Sequence, residues 1–122
     1  MPDIVILAVQ DLARSVEFYR VGLGFTPVVE TVVYVELAEG IGLYQRDGFA
    51  KNVGEMPGRM TGITATELYF RVANVEAAWR SLLAAGGRLL SALAPRPWGE
   101  TVAYYADPDG NVIAVAQAPE VR

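Results

Sequence analysis

The 122-residue chain has no cysteine and no histidine. Without cysteine there is no disulfide, no thiolate nucleophile and no Cys-ligated zinc or iron–sulfur site. Without histidine the commonest general base and the commonest transition-metal ligand are missing. No apolar run approaches the roughly 20 residues of a membrane span. Lysine and arginine form no cluster and the net charge is −4. Phosphate contacts need concentrated cations, so nucleic acid is not an expected partner. The opening MPDIVILAVQDL lacks a basic stretch and a small-residue cleavage site, so no secretory signal and a cytoplasmic location are expected. Hydrophobic residues make up 52% and charged residues 20%, which suits one globular domain with a real core. The acidic balance favours a cationic small molecule over an anionic one.

The chain reads as two similar halves. Ile4–Val9 is a β-branched run that predicts a strand. Asp11 suits a helix N-cap, Leu12, Val16, Tyr19 and Leu23 form an apolar stripe at helical spacing, and Gly22 and Gly24 end the helix. Strands follow near Thr26–Glu30, Val32–Leu37 and Ile41–Arg46. The second half repeats the order: a strand at Thr66–Val72, an N-cap at Asn74, and a helix stripe of Val75, Ala78, Trp79, Leu82 and Leu83. Gly86-Gly87 stops that helix, and strands near Arg88–Ala92, Thr101–Tyr105 and Asn111–Gln117 complete the set. Asp11 and Asn74 are 63 residues apart, as are Ile4 and Glu67. Units of this kind cannot each bury a sheet face alone, so pairing is expected. Asp47–Ile63, rich in glycine, reads as a flexible linker or lid. Asp107–Gly110 reads as a turn rather than a calcium loop, since alternating oxygen ligands are missing.

The repeated unit and the phrases DLARSVEFYRVGLGF and WGETVAYYADPDGNV resemble the vicinal oxygen chelate superfamily. That group includes glyoxalase I, extradiol dioxygenases, epimerases and bleomycin-resistance proteins. The resemblance covers nearly the whole chain. It implies an α+β fold of two βαβββ modules forming a curved mixed sheet around a cavity. The expected layout is a single glyoxalase-like domain over 1–122, with modules near 1–50 and 63–118 and the linker near 47–63. It also implies a homodimer, which would cover sheet edges. Catalytic members hold a divalent metal with His and Glu side chains. The corresponding positions here match Ile4, Gly42, Glu67 and Ala114, of which only Glu67 can coordinate. One carboxylate does not hold a catalytic ion. No metal and no cofactor are therefore expected.

Strand alternation locates candidate ligand-binding residues independently. Val5, Leu7 and Val9 share an apolar face, as do Leu68, Phe70 and Val72, and these faces should pack under the helices. Glu67, Tyr69 and Arg71 share the other face. Gly42, Tyr44 and Arg46 join it from the fourth strand, Val112, Ala114 and Ala116 from the last, and Tyr104 from the strand between. Trp98, in the stiff Pro95–Gly99 loop, is either a lid or a dimer contact, whereas Trp79 belongs to the core by its spacing. Tyrosines on strands also arise from propensity and packing. Glu67 reads either as a cavity carboxylate that loses solvation or as a solvated edge charge.

Three readings follow. The first is a metal-free small-molecule-binding protein that sequesters a hydrophobic or cationic drug-like compound, gripped by Tyr44, Arg46, Glu67, Tyr69, Arg71, Trp98 and Tyr104. The second is a glyoxalase-, epimerase- or dioxygenase-like enzyme using Glu67 and Tyr104 as acid and base. The third is a partner-dependent module without a small ligand.

Overall fold

The computed structural model describes residues 3–58 and 61–119. The elements run β1 (Val5–Val9), α1 (Leu12–Leu23), β2 (Pro27–Glu30), β3 (Tyr34–Leu37), β4 (Ile41–Gln45) and α2 (Arg46–Val53). They continue as β5 (Glu67–Val72), α3 (Val75–Ala84), β6 (Arg88–Pro95), β7 (Thr101–Ala106) and β8 (Val112–Gln117). The chain divides into two compact units, residues 1–59 and 60–122. Each holds one four-stranded mixed sheet, β1-β4-β3-β2 in the first and β5-β8-β7-β6 in the second. In both, the outer first strand runs parallel to the last and the remaining pairs are antiparallel. This is the α+β arrangement of two βαβββ modules. Among the described residues no helix is long and apolar enough to cross a membrane.

Both expected N-caps form. Asp11 Oδ1 accepts from the Arg14 N–H at 3.1 Å, and Asn74 Oδ1 accepts from the Ala77 N–H at 3.1 Å. A second device, not anticipated from the sequence, ties each helix to its sheet. Gln45, at the end of β4, accepts from the Leu12 N–H at 3.2 Å and donates to the Gln10 carbonyl at 2.7 Å. Gln117, at the end of β8, does the same to the Val75 N–H at 3.1 Å and the Ala73 carbonyl at 2.6 Å. One amide thereby satisfies an orphan donor of the helix start and fixes where the helix leaves the sheet.

The α1 stripe is displaced from the expected one. The buried residues are Ser15, Phe18, Tyr19 and Gly22, while Leu12, Val16 and Leu23 are only half-buried. Small Ser15 and Gly22 let the backbone approach, and Phe18 meets Tyr19 edge-on at 5.1 Å. In α3, Val75 and Leu82 are buried, but Trp79 is half-buried rather than core. Its ring helps line a pocket of about 290 Å³ with Glu76, Arg80, Ala92 and Leu93.

The segment expected to be a linker contains α2, and Arg46 opens that helix instead of ending β4. Local sequence signals for α2 are poor: Gln45 gives no side-chain cap and Gly48 lies inside it. Packing holds it instead. Phe49 meets Tyr44 edge-on at 6.3 Å, and Asn52 Nδ2 donates to the Tyr44 hydroxyl at 2.7 Å. Gly48 is required there, because a Cβ would lie 2.7 Å from Tyr44 Cε1.

The Asp107–Gly110 turn is closed by its own carboxylate. Asp107 Oδ1 accepts from the Asp109 and Asn111 N–H groups at 2.9 and 2.8 Å, and Oδ2 accepts from Asn111 Nδ2 at 2.9 Å. These bonds account for the burial of both Asp107 and Asn111.

Candidate functional site: the tyrosine face of the second sheet

Register places the candidate residues in rows across the second sheet. Glu67 lies beside Val112, Tyr69 beside Ala114, and Arg71 beside Ala116. Tyr104 flanks Ala114 from the other side, and Val102 flanks Ala116. Small residues on β8 leave room for large ones on its neighbours. Val102, Ala114 and Ala116 are fully buried, and Tyr69 and Tyr104 pack against them.

Two expected residues, Tyr69 and Arg71, converge on Glu100, which was not anticipated, and a third, Trp98, joins through Tyr69. Glu100 accepts from the Tyr69 hydroxyl at 2.8 Å through Oε1. Arg71 donates to both its oxygens, Nε to Oε2 at 2.8 Å and Nη2 to Oε1 at 2.9 Å. Trp98 Nε1 donates to the Tyr69 hydroxyl oxygen at 3.0 Å, and the Arg71 guanidinium lies 5.2 Å from the Tyr69 ring centre. The bidentate geometry is the strong form of such a pair. A readable signal for Glu100 existed: it stands two residues before Val102 and four before Tyr104, so the alternation of β7 continues through it.

Other candidates stand apart. Glu67 is exposed at the start of β5 and has no hydrogen bond or ion pair among the described residues. Tyr104 lies two strands away, roughly 10 Å by sheet spacing, so the structure does not bring Glu67 and Tyr104 together. Tyr104 instead carries Arg96, whose guanidinium lies 4.9 Å from the ring centre. Arg96 is pinned by the Val102 and Ala92 carbonyls, each at 2.8 Å, and by Ser91 Oγ at 3.1 Å. Tyr44 and Arg46 belong to the first unit, where the Arg46 guanidinium donates to the Pro57 carbonyl. Arg46 opens α2, which takes it out of the row of sheet residues to which strand alternation assigns it.

The electrostatics follow the hydrogen bonds. Arg71, and then the Tyr69 hydroxyl, hold the Glu100 carboxyl below its ordinary value of 4.5. Burial is the main cause that pushes Tyr69 up, with the Trp98 N–H opposing and Glu100 adding to it. A carboxylate with a depressed folded-state value stabilises the fold above its unfolded value, and this is lost as pH falls through the folded value. The Glu100 carboxyl is therefore expected to titrate by NMR with a midpoint below 4.5, and the Trp98 indole N–H signal should move with it. In Glu100→Gln the indole signal should stay still over that range. A midpoint at or above the ordinary value would show that the cluster does not persist in solution.

Residues 3–120 match the family model of the Glyoxalase-like domain. The chain belongs to this family. It is thereby a glyoxalase-like domain of the vicinal oxygen chelate superfamily. A protein of unknown function from Agrobacterium tumefaciens str. C58 is 28% identical, with a TM-score of 0.85 over 98% of this chain and 94% of that one. A glyoxalase-related enzyme from Fulvimarina pelagi is 27% identical, with a TM-score of 0.83 over 98% of this chain and 88% of that one. A glyoxalase/bleomycin resistance protein/dioxygenase family enzyme from Burkholderia phytofirmans PsJN is 22% identical and shares the fold, with a TM-score of 0.79 over 96% and 98%. Comparison with curated proteins gives no match.

The positions that the resemblance assigns to metal ligands can be compared within the two sheets. Gly42 lies beside Ile6 as Ala114 lies beside Tyr69, so the two fourth-strand positions are equivalent. Neither has a side-chain donor, and the Tyr34 ring lies against Gly42, where a Cβ would meet its hydroxyl at 2.6 Å. Among the described residues no three Asp or Glu side chains gather to hold an ion. The donor set does not fit a catalytic divalent metal.

Proposed function

We propose that this glyoxalase-like domain is a metal-free small-molecule-binding protein of the glyoxalase/bleomycin-resistance type, which sequesters a hydrophobic or cationic drug-like compound. The observation that carries the reading is the Trp98–Tyr69–Glu100–Arg71 cluster beside the apolar floor of Val102, Ala114 and Ala116. Side chains fixed by one another present ring faces at low entropic cost, which is what recognition of a flat ligand needs. The separation of Glu67 from Tyr104 gives the acid/base reading no geometric support. The valines at 28, 29, 32 and 33, all exposed at the edge strand β2 and its turn, favour a homodimer that covers them.

A thermal-shift screen of aromatic and cationic amphiphiles tests the reading, because a ligand that binds only the folded state raises Tm. An aromatic compound is expected to stabilise the chain equally with and without a chelator. Tyr69→Ala should weaken it by about tenfold or more, in line with 1–3 kcal/mol for a stacked ring. Stoichiometric zinc, nickel, manganese or iron in the purified protein, or unaltered affinity in Tyr69→Ala, would overturn the proposal.

A further inference from the structure

The carboxylates on the two sheet faces are not equivalent. Glu100 is neutralised by a bidentate arginine. Glu67 is exposed to water. The third, Glu36 on β3, is half-buried, and no lysine or arginine pairs with it among the described residues. Among the described residues its carboxyl accepts one hydrogen bond, from a neutral group, the Tyr34 hydroxyl, at 2.8 Å to Oε1. Burial first, and then Glu36, push Tyr34 up to about 12, so it remains a neutral donor at physiological pH. A half-buried carboxyl with one neutral donor leaves most of its acceptor capacity unfilled.

Its surroundings are aromatic. Tyr34 lies beside Tyr44 across the β3–β4 register, with ring centres 5.5 Å apart at 64°. Tyr44 meets Phe49 of α2 at 6.3 Å and 89°. The three rings therefore meet at steep angles, as walls at a corner rather than as a flat stack. Tyr44 already accepts from Asn52, which fixes its hydroxyl at the α2 end. Gly42, beneath Tyr34, is the position that lets this ring lie down on the sheet beside Glu36. Aromatic faces beside a carboxylate with which no lysine or arginine pairs among the described residues make the chemistry that recognises an organic ammonium group.

We infer that the Tyr34–Glu36–Tyr44–Phe49 corner of the first unit is a subsite for an alkylated ammonium group. It rests on the ligand-binding reading only in taking an organic cation as the class of ligand. No residue of the Tyr69–Trp98 cluster takes part, so the two stand or fall by different measurements.

The test uses the whole chain and two probes of the same shape, choline and its uncharged isostere 3,3-dimethylbutan-1-ol. Binding is followed by the shifts of the Tyr34, Gly42, Tyr44 and Phe49 amides. Choline is expected to bind at least tenfold more tightly than the alcohol and to shift these four signals. Glu36→Gln should remove that preference while leaving Tm within a few degrees, because the Tyr34 hydroxyl keeps an acceptor. Equal affinity for the two probes overturns the inference, and so does a failure of choline to bind. A preference that survives Glu36→Gln, or shifts confined to residues 61–119, overturns it as well. If aromatic compounds still bind through Tyr69 under those outcomes, only the ammonium subsite is lost and the sequestration reading stands.

Discussion

Replacing Gly110 with alanine is expected to cost about 2–5 kcal/mol of stability. Two effects combine. Gly110 has φ of +84°, a left-handed conformation that costs an L-residue about 1–2 kcal/mol. In addition, a Cβ there would overlap the Gly62 carbonyl oxygen. That atom is backbone and cannot swing away, so the chain near 62 must move, at an overpacking cost of about 1–3 kcal/mol. The same turn receives the Thr64 N–H on the Gly110 carbonyl at 2.8 Å, so the shift also strains the approach to β5. Gly99 supplies the control. Its φ is +96°, yet a Cβ there meets nothing within 4 Å, so Gly99→Ala should cost only the conformational part. Urea unfolding of both variants checks this. Equal losses in the two would show that the contact with Gly62 does not form.

The second large effect concerns α1. Phe18→Ala should destabilise by about 3–5 kcal/mol, the usual loss for a fully buried ring. Val16→Ala should cost only about 1 kcal/mol, because Val16 is half-buried. Denaturant midpoints decide the order. A larger loss at Val16 would mean that the helix sits rotated from the face described.

That contrast marks where the sequence is readable. Leu12, Val16, Tyr19 and Leu23 form a regular apolar stripe, and only Tyr19 of these is fully buried. The buried face uses serine and glycine to let the helix come close, and small or polar residues do not register as core in an apolar count. Strand order and the N-caps were legible because they rest on short-range rules: alternation, side-chain capping and a repeat of 63 residues. Helix α2 was not, because Gln45 supplies no side-chain cap and Gly48 lies inside it, so the helix rests on the packing of Phe49 and Asn52 against Tyr44 rather than on local signals. At the site, Tyr69, Arg71 and Trp98 could each be named as candidates, since chemistry and strand parity mark them. Glu100, the partner of Tyr69 and Arg71, carries the same parity signal from β7, but parity alone does not show that it pairs with them. It lies 29 residues from Arg71 in sequence, and the pairing depends on how the loop between β6 and β7 returns. Glu36 was hidden differently. Its charge is ordinary in sequence, and only the absence of a partnering cation among its described neighbours makes it unusual.

The matched registers of the two sheets also bear on which positions the fold leaves open to change. Ile6 beside Gly42 in one half corresponds to Tyr69 beside Ala114 in the other, and Ala8 beside Tyr44 corresponds to Arg71 beside Ala116. The backbone frame is the same while side-chain bulk has moved between strands. In the first half the large groups sit on β3 and β4, and in the second on β5 and β7. Each half thus carries a different relief on one scaffold. The glutamine clamps at residues 45 and 117 hold helix to sheet without using these positions. Substitution on the sheet face of either half is therefore expected to leave the helix behind it in place. One backbone register can thus carry two unlike surfaces, each open to change without cost to the frame that presents it.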